Sequence, residues 1–308
     1  MLLWPALSIL VWGAGSVFLI LVLLLQLCVQ LWQKSHPWDL QHCSTDLTGK
    51  TAIVTGANSG IRKVVSQDLA QCGAQVVLTC QSRERGQQAL AEIQAASNSN
   101  GLLLGEVDLS SMTSIRSFAW RLLQENPEIH LLVNNAGVSG FPKTLTPDLD
   151  LTFVTNYVGP FLLTNLLQGA LQLAESAPVV NVSSVQHAHG YIDEGKLLLT
   201  SFTGKLAQRL PGTGMTVNAV EPGVVYMGLM RHFSRPYCFL FWLVSFFMKV
   251  GVIPVLYLSL AEEQDSISGK YFSSSCVITL PIKACQDPHV AQSLCNASVR
   301  LTSLVKMD

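Results

Sequence analysis

The chain has 308 residues, with 19 Lys plus Arg against 20 Asp plus Glu, a balance that excludes the basic face a nucleic-acid binder needs to neutralise phosphates. Only 13% of the residues are charged, about half the share of an average soluble domain, so contact with a membrane or a greasy ligand is expected beyond ordinary core formation. The eight cysteines include no Cys-x-x-Cys pair and no accompanying histidine cluster; they read as free thiols, with a disulfide among Cys276, Cys285 and Cys295 the alternative for a lumenal chain, and no metal site is expected.

Met1–Gln33 holds no charged side chain, and Lys34 is the first. This run exceeds the ~20 apolar residues that span a bilayer. A cleavable signal peptide starts basic and has a shorter apolar core of ~7–15 residues. Residues 1–33 are therefore expected to be an uncleaved hydrophobic anchor helix, with a cleaved signal peptide and a secreted chain as the alternative. Lys34 and Lys50 follow the anchor and place what comes next in the cytosol by the positive-inside rule. Residues 34–48 read as a tether, and 49–308 as one domain with no internal linker.

From Lys50 the chain alternates between short apolar strands and helices. Lys50–Thr55 is rich in β-branched residues and runs into Gly56-Ala57-Asn58-Ser59-Gly60. Ile61, Val64, Val65 and Leu69 then recur at helical spacing. Gln75–Thr79 is a second strand, Leu90–Ile93 sits in a helix, and Leu102–Val107 is a third strand closed by Asp108-Leu109. Ile115–Gln124 is helical again, and Ile129–Val133 is a fourth strand ending at Asn134-Asn135-Ala136-Gly137. This alternation predicts an α/β domain: a Rossmann-type, doubly wound parallel sheet with helices on both faces. Ligands bind such sheets at the carboxyl ends of the strands, where the strand order switches. A glycine turn from the first strand into a helix lets the backbone approach a pyrophosphate, whose charge the helix N-terminus stabilises. A dinucleotide is thus the expected cofactor.

These residues carry a family resemblance. Thr55-Gly56-Ala57-Asn58-Ser59-Gly60-Ile61 resembles the TGxxxGxG cofactor loop of the short-chain dehydrogenase/reductases, and Asn134–Gly137 resembles their NNAG motif. Asn156 is similar to the family's catalytic Asn, and Val180-Asn181-Val182-Ser183-Ser184 to the strand that carries its catalytic Ser. Pro222-Gly223 is similar to the loop beside the nicotinamide. The resemblance runs from about Gly49 to Phe272. The anchor and Ser268-Gly269-Lys270-Tyr271-Phe272 resemble the membrane-bound, retinol-dehydrogenase-type branch. The resemblance implies a hydrophobic alcohol or carbonyl substrate and anchoring in the endoplasmic reticulum membrane. It assigns the cofactor to Gly56, Ala57, Asn58, Ser59, Gly60, Ile61, Asp108, Leu109, Asn135, Ala136, Gly137, Pro222 and Gly223; Arg62 and Arg83 join that set as cations able to meet a phosphate.

An acidic residue at the end of the second strand would select NAD. Here that end reads Thr79-Cys80-Gln81-Ser82-Arg83, with Arg85 close behind. It has no carboxylate, and two cations suit a 2′-phosphate, so NADP(H) is expected over NAD(H). A solvated helix start is the competing reading of both arginines.

The family's reaction needs a Tyr whose pKa lies below the free value of ~10, a Lys to lower it, a Ser and an Asn. Tyr and Lys stand four apart on one helix, ~400° of rotation, and so face the same way. No Tyr-x-x-x-Lys occurs in this chain. Tyr191 and Lys196 are five apart, ~500°, and diverge on a regular helix. Counting back from Gly212-Thr213-Gly214 puts Lys196 at the Lys position with Ile192 where Tyr belongs; Gly204-Lys205-Leu206-Ala207 offers Lys205 with Ser201 instead. A crossover of a dozen residues or more favours Lys196. The catalytic set is then Ser184, Asn156, Tyr191 and Lys196. Two further departures are Arg62, in place of the motif's last glycine, and Met227, where a hydroxyl side chain usually follows Pro-Gly. The expected function is an NADP(H)-dependent oxidoreductase for a retinoid or other lipid; the alternatives are a catalytically impaired protein that keeps the fold and acts through partners, and a poorly folding product.

Tyr237–Met248 is an apolar, aromatic run too short to span a bilayer, and reads as a substrate lid or membrane-dipping segment, with a core helix as the competing reading. Pro254 starts or interrupts the following helix. Asn181-Val182-Ser183 matches the glycosylation triplet but falls on a core strand; Asn296-Ala297-Ser298 matters only in a lumenal chain.

Overall fold

Thr51–Thr55 (β1) is buried along its whole length because its side chains alternate between two apolar cores: Ile53 faces one, Ala52 and Val54 the other. A computed structural model describes residues 38, 40, 43–138, 145–146, 149–183, 194–222, 251–281 and 283–304. After β1 come α1 (Gly60–Gln71), β2 (Gln75–Cys80), α2 (Arg83–Ser97), β3 (Leu102–Glu106), α3 (Met112–Glu125) and β4 (Leu131–Asn134). A two-stranded antiparallel ribbon follows, β5 (Leu145–Thr146) with β6 (Leu149–Asp150). It leads into a helical turn at Leu151–Phe153, a π-helical turn at Val154–Val158 and α4 (Gly159–Leu173). The chain continues through β7 (Ala177–Val182), α5 (Glu194–Ala207), β8 (Met215–Val220), α6 (Ile253–Leu260), β9 (Tyr271–Phe272), β10 (Ile278–Thr279), α7 (Lys283–Gln286) and α8 (Pro288–Leu301).

Eight strands form one sheet in the order β3-β2-β1-β4-β7-β8-β9-β10. Every pairing from β3 to β9 is parallel, and β10 runs antiparallel to β9. This is the Rossmann-type sheet expected from the alternation. The chain leaves β3 at one edge and re-enters as β4 beside β1, so the order reverses between β1 and β4. A crevice opens at such a switch point, outside the carboxyl ends of the strands.

One face of the sheet is covered by α3, α4 and α5, through Ile115, Phe118, Phe161, Leu163 and Phe202. Phe161 and Phe202 lock α4 to α5 with ring centroids 4.9 Å apart. The other face is covered by α1, α2 and α6, through Val65, Leu69, Ile93, Val255 and Leu256. Caps follow the sequence signals: Ser82 and Ser111 accept from the backbone N–H groups of Arg85 and Ser114. Pro254 lies in the first turn of α6 and starts it. The C-terminal α8 starts on an Asp287 cap and is tied to the core by Tyr157 Oη and Ser298 Oγ at 2.8 Å.

Leu47 is buried, Thr45 Oγ1 donates to the Leu260 carbonyl at 2.7 Å, and Trp38 meets Tyr257 edge-on, so the end of the expected tether lies on the domain. Asn181 is fully buried and joins Asn134 and Thr203 in a hydrogen-bonded row, where no glycosyl group could reach it. The six described cysteines are free thiols. Among the described residues no helix is long and apolar enough to cross a membrane. The expected anchor (1–33) and the Tyr237–Met248 run lie outside the described residues.

Candidate functional site

The cradle begins where β1 ends. The Thr55 hydroxyl, wholly buried, accepts from the Asn135 and Ala136 amides at 2.9 Å each and donates to the Val133 carbonyl at 3.2 Å. One side chain thereby ties the end of β1 to the turn after β4, across the switch point. Gly56 follows at φ +70°, a conformation that favours glycine. A Cβ there would stand 3.1 Å from the Ala136 Cβ and 3.1 Å from Arg62 Nη1. The Ala57 amide is used by the Thr79 carbonyl at 3.0 Å, so it is structural. α1 then starts at Gly60, with Ser59 preceding it as an extended residue whose side chain makes no cap.

A cleft of about 310 Å³ lies above this turn, lined by Gly56, Asn58, Ser59, Arg62, Gln81, Ser82, Arg85, Asp108, Leu109, Ala136, Gly137 and Val138, among others. It gathers most of the residues expected at the cofactor. Arg83 is a difference. It sits in the groove beside the edge strand, with Leu103 and Phe118. Residues 83 and 85 are ~200° apart on a helix, so only one of them can face the crevice, and it is Arg85. Gln81 Nε2 donates to Asp108 Oδ2 at 3.0 Å across the cleft floor. Burial opposes ionisation of Asp108, but bonds from Ser110 and Gln81 outweigh it and hold the carboxyl below its ordinary range.

The fit to a dinucleotide can be judged from these atoms. The open floor at Gly56, the start of α1 and the buried, unpartnered Nδ2 of Asn135 suit the adenosine–phosphate half. Arg62, in place of a glycine, fills part of the phosphate seat: its Nε and Nη2 donate to the Ser59 carbonyl and hydroxyl at 3.3 and 3.0 Å. Burial pushes its guanidinium pKa down.

The second cluster joins β4, the π-helical turn and α5. Asn156, fully buried in the π turn, clamps one residue at both ends: Oδ1 accepts from the Val138 amide and Nδ2 donates to the Val138 carbonyl, each at 2.8 Å. Lys196, two residues into α5 and 6% exposed, donates from Nζ to the Ala136 carbonyl at 2.8 Å. Gly137 lies between them: a Cβ there would stand 3.0 Å from Lys196 Cε and 3.3 Å from Asn156 Oδ1. Gly195 makes the same close approach, 2.6 Å from the Asn156 Cβ. Lys205 is elsewhere. It lies nine residues on, ~180° around the helix, and reaches Gln208. The structure therefore brings Lys196, and not Lys205, to Asn156 and the strand ends.

Ser183 closes β7, and its hydroxyl meets Thr200 Oγ1 at 3.1 Å. Beyond it, Ser184, Tyr191, Ile192, Gly223 and Met227 lie outside the described residues, while Pro222 is buried at the end of β8. The described tyrosines offer no phenolate. Burial raises the pKa of Tyr157, Tyr257 and Tyr271, and the Glu221 carboxylate, 3.0 Å from Tyr271 Oη, raises that one further. Sequence reasoning missed Thr55 as an organiser of the site; its signal was a hydroxyl side chain at the strand's last position, directly before the glycine turn.

Three comparisons bear on this arrangement. The profile described as short chain dehydrogenase matches residues 50–236. Retinol dehydrogenase 12 of Bos taurus is 39% identical over 285 residues, 85% of this chain and 90% of that protein. Retinol dehydrogenase 13 of Homo sapiens is 35% identical, covering 84% of this chain and 86% of the relative. Among solved structures, a metagenomic short-chain oxidoreductase in complex with NADP is 30% identical with a TM-score of 0.52, covering 58% of this chain and 84% of that one. Together with the sheet, its switch point and the cleft above it, these matches show that the chain belongs to the short-chain dehydrogenase/reductases, oxidoreductases whose fold holds a nicotinamide cofactor, and that it is similar to the retinol dehydrogenases within them.

Proposed function

We propose that the protein is an NADP(H)-dependent oxidoreductase for a hydrophobic alcohol or carbonyl, such as a retinoid, held at a membrane of the endoplasmic reticulum by residues 1–33. The observation that carries this reading is the buried Lys196 ammonium, set against Asn156 and the Ala136 carbonyl at the mouth of the crevice. Buried titratable groups placed at a crevice cluster at functional sites, which supports this reading. Arg85 and the absence of a carboxylate at the end of β2 support NADP(H) over NAD(H).

When bound, the nicotinamide supplies or accepts the hydride. In this reading Asn156 fixes the Gly137–Val138 backbone, so Lys196 keeps one position. Lys196 holds the ribose and lowers the pKa of the acid–base group. Ser184 holds the substrate oxygen, and Tyr191 exchanges its proton.

A second reading has its own observation. Every described tyrosine has a raised pKa, and the position four before Lys196 is Ile192. A protein that binds the cofactor but does not turn over fits that pattern. The test uses the purified full chain in detergent. NADPH is titrated by nicotinamide fluorescence, and retinal reduction is then followed for wild type, Tyr191→Phe and Lys196→Met. Binding with turnover lost in both variants supports the enzyme. Binding without turnover in wild type supports the second reading. No NADPH binding ends both.

A further inference from the structure

Arg62 is unfavourably placed in three respects. It stands in the first turn of α1, where no acidic residue offsets it and the positive end of the helix dipole opposes a cation. It is partly withdrawn from water, which lowers its pKa, and no charged group accompanies it. Its neighbour Lys63 is paired with Glu92, whereas no carboxylate pairs with Arg62 among the described residues. Its side chain bonds to Ser59 in the same turn, Nε at 3.3 Å and Nη2 at 3.0 Å. All three disadvantages change sign when an anion enters the cradle. The guanidinium then gains a counter-charge, and the helix end and the side chain attract the same group.

We propose that Arg62 is a phosphate ligand of this site: it releases Ser59 and takes the pyrophosphate of the dinucleotide, replacing the bare backbone approach that a glycine at 62 would allow. The inference rests on the cofactor reading above and gives Arg62 a specific phosphate within it. The geometry divides the cations by phosphate. Arg62 lies over Gly56, at the turn that faces the pyrophosphate, and Arg85 lies at the end of β2, where the ribose 2′ position falls. The pyrophosphate is common to NADH and NADPH; the 2′-phosphate is not. Arg62 therefore contributes equally to both dinucleotides, and Arg85 only to the phosphorylated one.

The test is calorimetric titration of the full chain in detergent with NADPH, NADH and adenosine 2′-monophosphate, for wild type, Arg62→Gln, Arg62→Lys, Arg62→Gly and Arg85→Gln. In Arg62→Gln, NADPH and NADH are both expected to bind about tenfold more weakly, or worse, the loss of one charge-assisted contact. Adenosine 2′-monophosphate, which has no pyrophosphate, is unchanged in that variant and so reports that the cradle is still folded. Arg62→Lys recovers part of the loss. Arg85→Gln weakens NADPH and the monophosphate and spares NADH. Tighter dinucleotide binding in Arg62→Gly or Arg62→Gln overturns the proposal, since Arg62 is then a plug; the cofactor reading survives that result. A loss confined to NADPH in Arg62→Gln also overturns it. Failure of wild type and Arg62→Gly alike to bind any dinucleotide removes the cofactor reading and this inference with it.

Discussion

Replacing Asn156 with Ala removes both bonds to Val138 while leaving that residue's amide and carbonyl in place. Each buried backbone group left without a partner costs about 1–3 kcal/mol, so the pair costs about 2–6 kcal/mol, less whatever a water recovers. At a urea m-value of about 3 kcal/mol/M, the midpoint falls by roughly 0.7–2 M. Asn156→Asp makes the sharper test. A carboxylate can accept from the Val138 amide, but it faces the Val138 carbonyl with no proton to give. Burial and that carbonyl disfavour the charge, while the Val138 amide and Lys196, whose Nζ lies on the other side of Gly137, favour it. The unmatched carbonyl is expected to leave the urea midpoint of Asn156→Asp below that of wild type. The assay is urea unfolding of the full chain by circular dichroism. An Asn156→Ala midpoint within experimental scatter of wild type would show that the clamp is dispensable; an Asn156→Asp midpoint equal to wild type would refute the carbonyl contact.

Thr55→Val keeps the shape of the strand end but removes the acceptor for the Asn135 and Ala136 amides; a loss of about 2–4 kcal/mol in chemical unfolding is expected, with Thr55→Ser near wild type. Gly159→Ala places a Cβ 2.4 Å from the Leu109 carbonyl oxygen, a backbone atom that cannot swing aside, and is expected to destabilise by about 1–3 kcal/mol or more and to weaken NADPH binding by moving Leu109. His130 Nδ1 accepts from the Thr51 amide at 3.2 Å, so the ring must stay neutral. Burial lowers its pKa despite the Glu128 carboxylate, with Lys50 adding to the effect. Its folded pKa lies below the unfolded value of ~6.5, so its contribution is present above that pH and is lost as pH falls through the folded value. Thermal midpoints of wild type and His130→Gln should therefore converge as pH drops below ~6.5, and parallel curves would contradict this.

The strands and helices from Thr51 to Asn134 were legible because β1, β2 and β4 are short runs buried on both faces, the edge strand β3 is a short apolar run, and each helix repeats its apolar positions near 3.6. The π-helical turn was not. One extra residue per turn within Val154–Val158 leaves no mark in an apolar stretch that already reads as helix. Yet that turn holds the buried Asn156 in the clamp. The C-terminal helix carried a readable start, Asp287 followed by Pro288, that passed unused. Arg83 and Arg85 were indistinguishable as charges near a strand end; only the position of the first turn of α2 separates them. Lys196 was reached by crossover length, and the bond to Ala136 agrees with that placement.

The argument that Tyr191 and Lys196 diverge assumed one regular helix through both. The described helix runs from Glu194 to Ala207, and Tyr191 lies outside the described residues. What holds each part of the site differs as well. Thr55, Asn156 and Lys196 make buried bonds between β1, the turn after β4, the π turn and α5, so losing any of them costs stability whether or not the chain turns over substrate. Their bonds therefore serve the fold as well as any reaction. Arg62 is the informative residue for the opposite reason. It opposes its own helix end and its side chain bonds back to Ser59 in the same turn, an arrangement that an anion arriving above Gly56 would turn favourable.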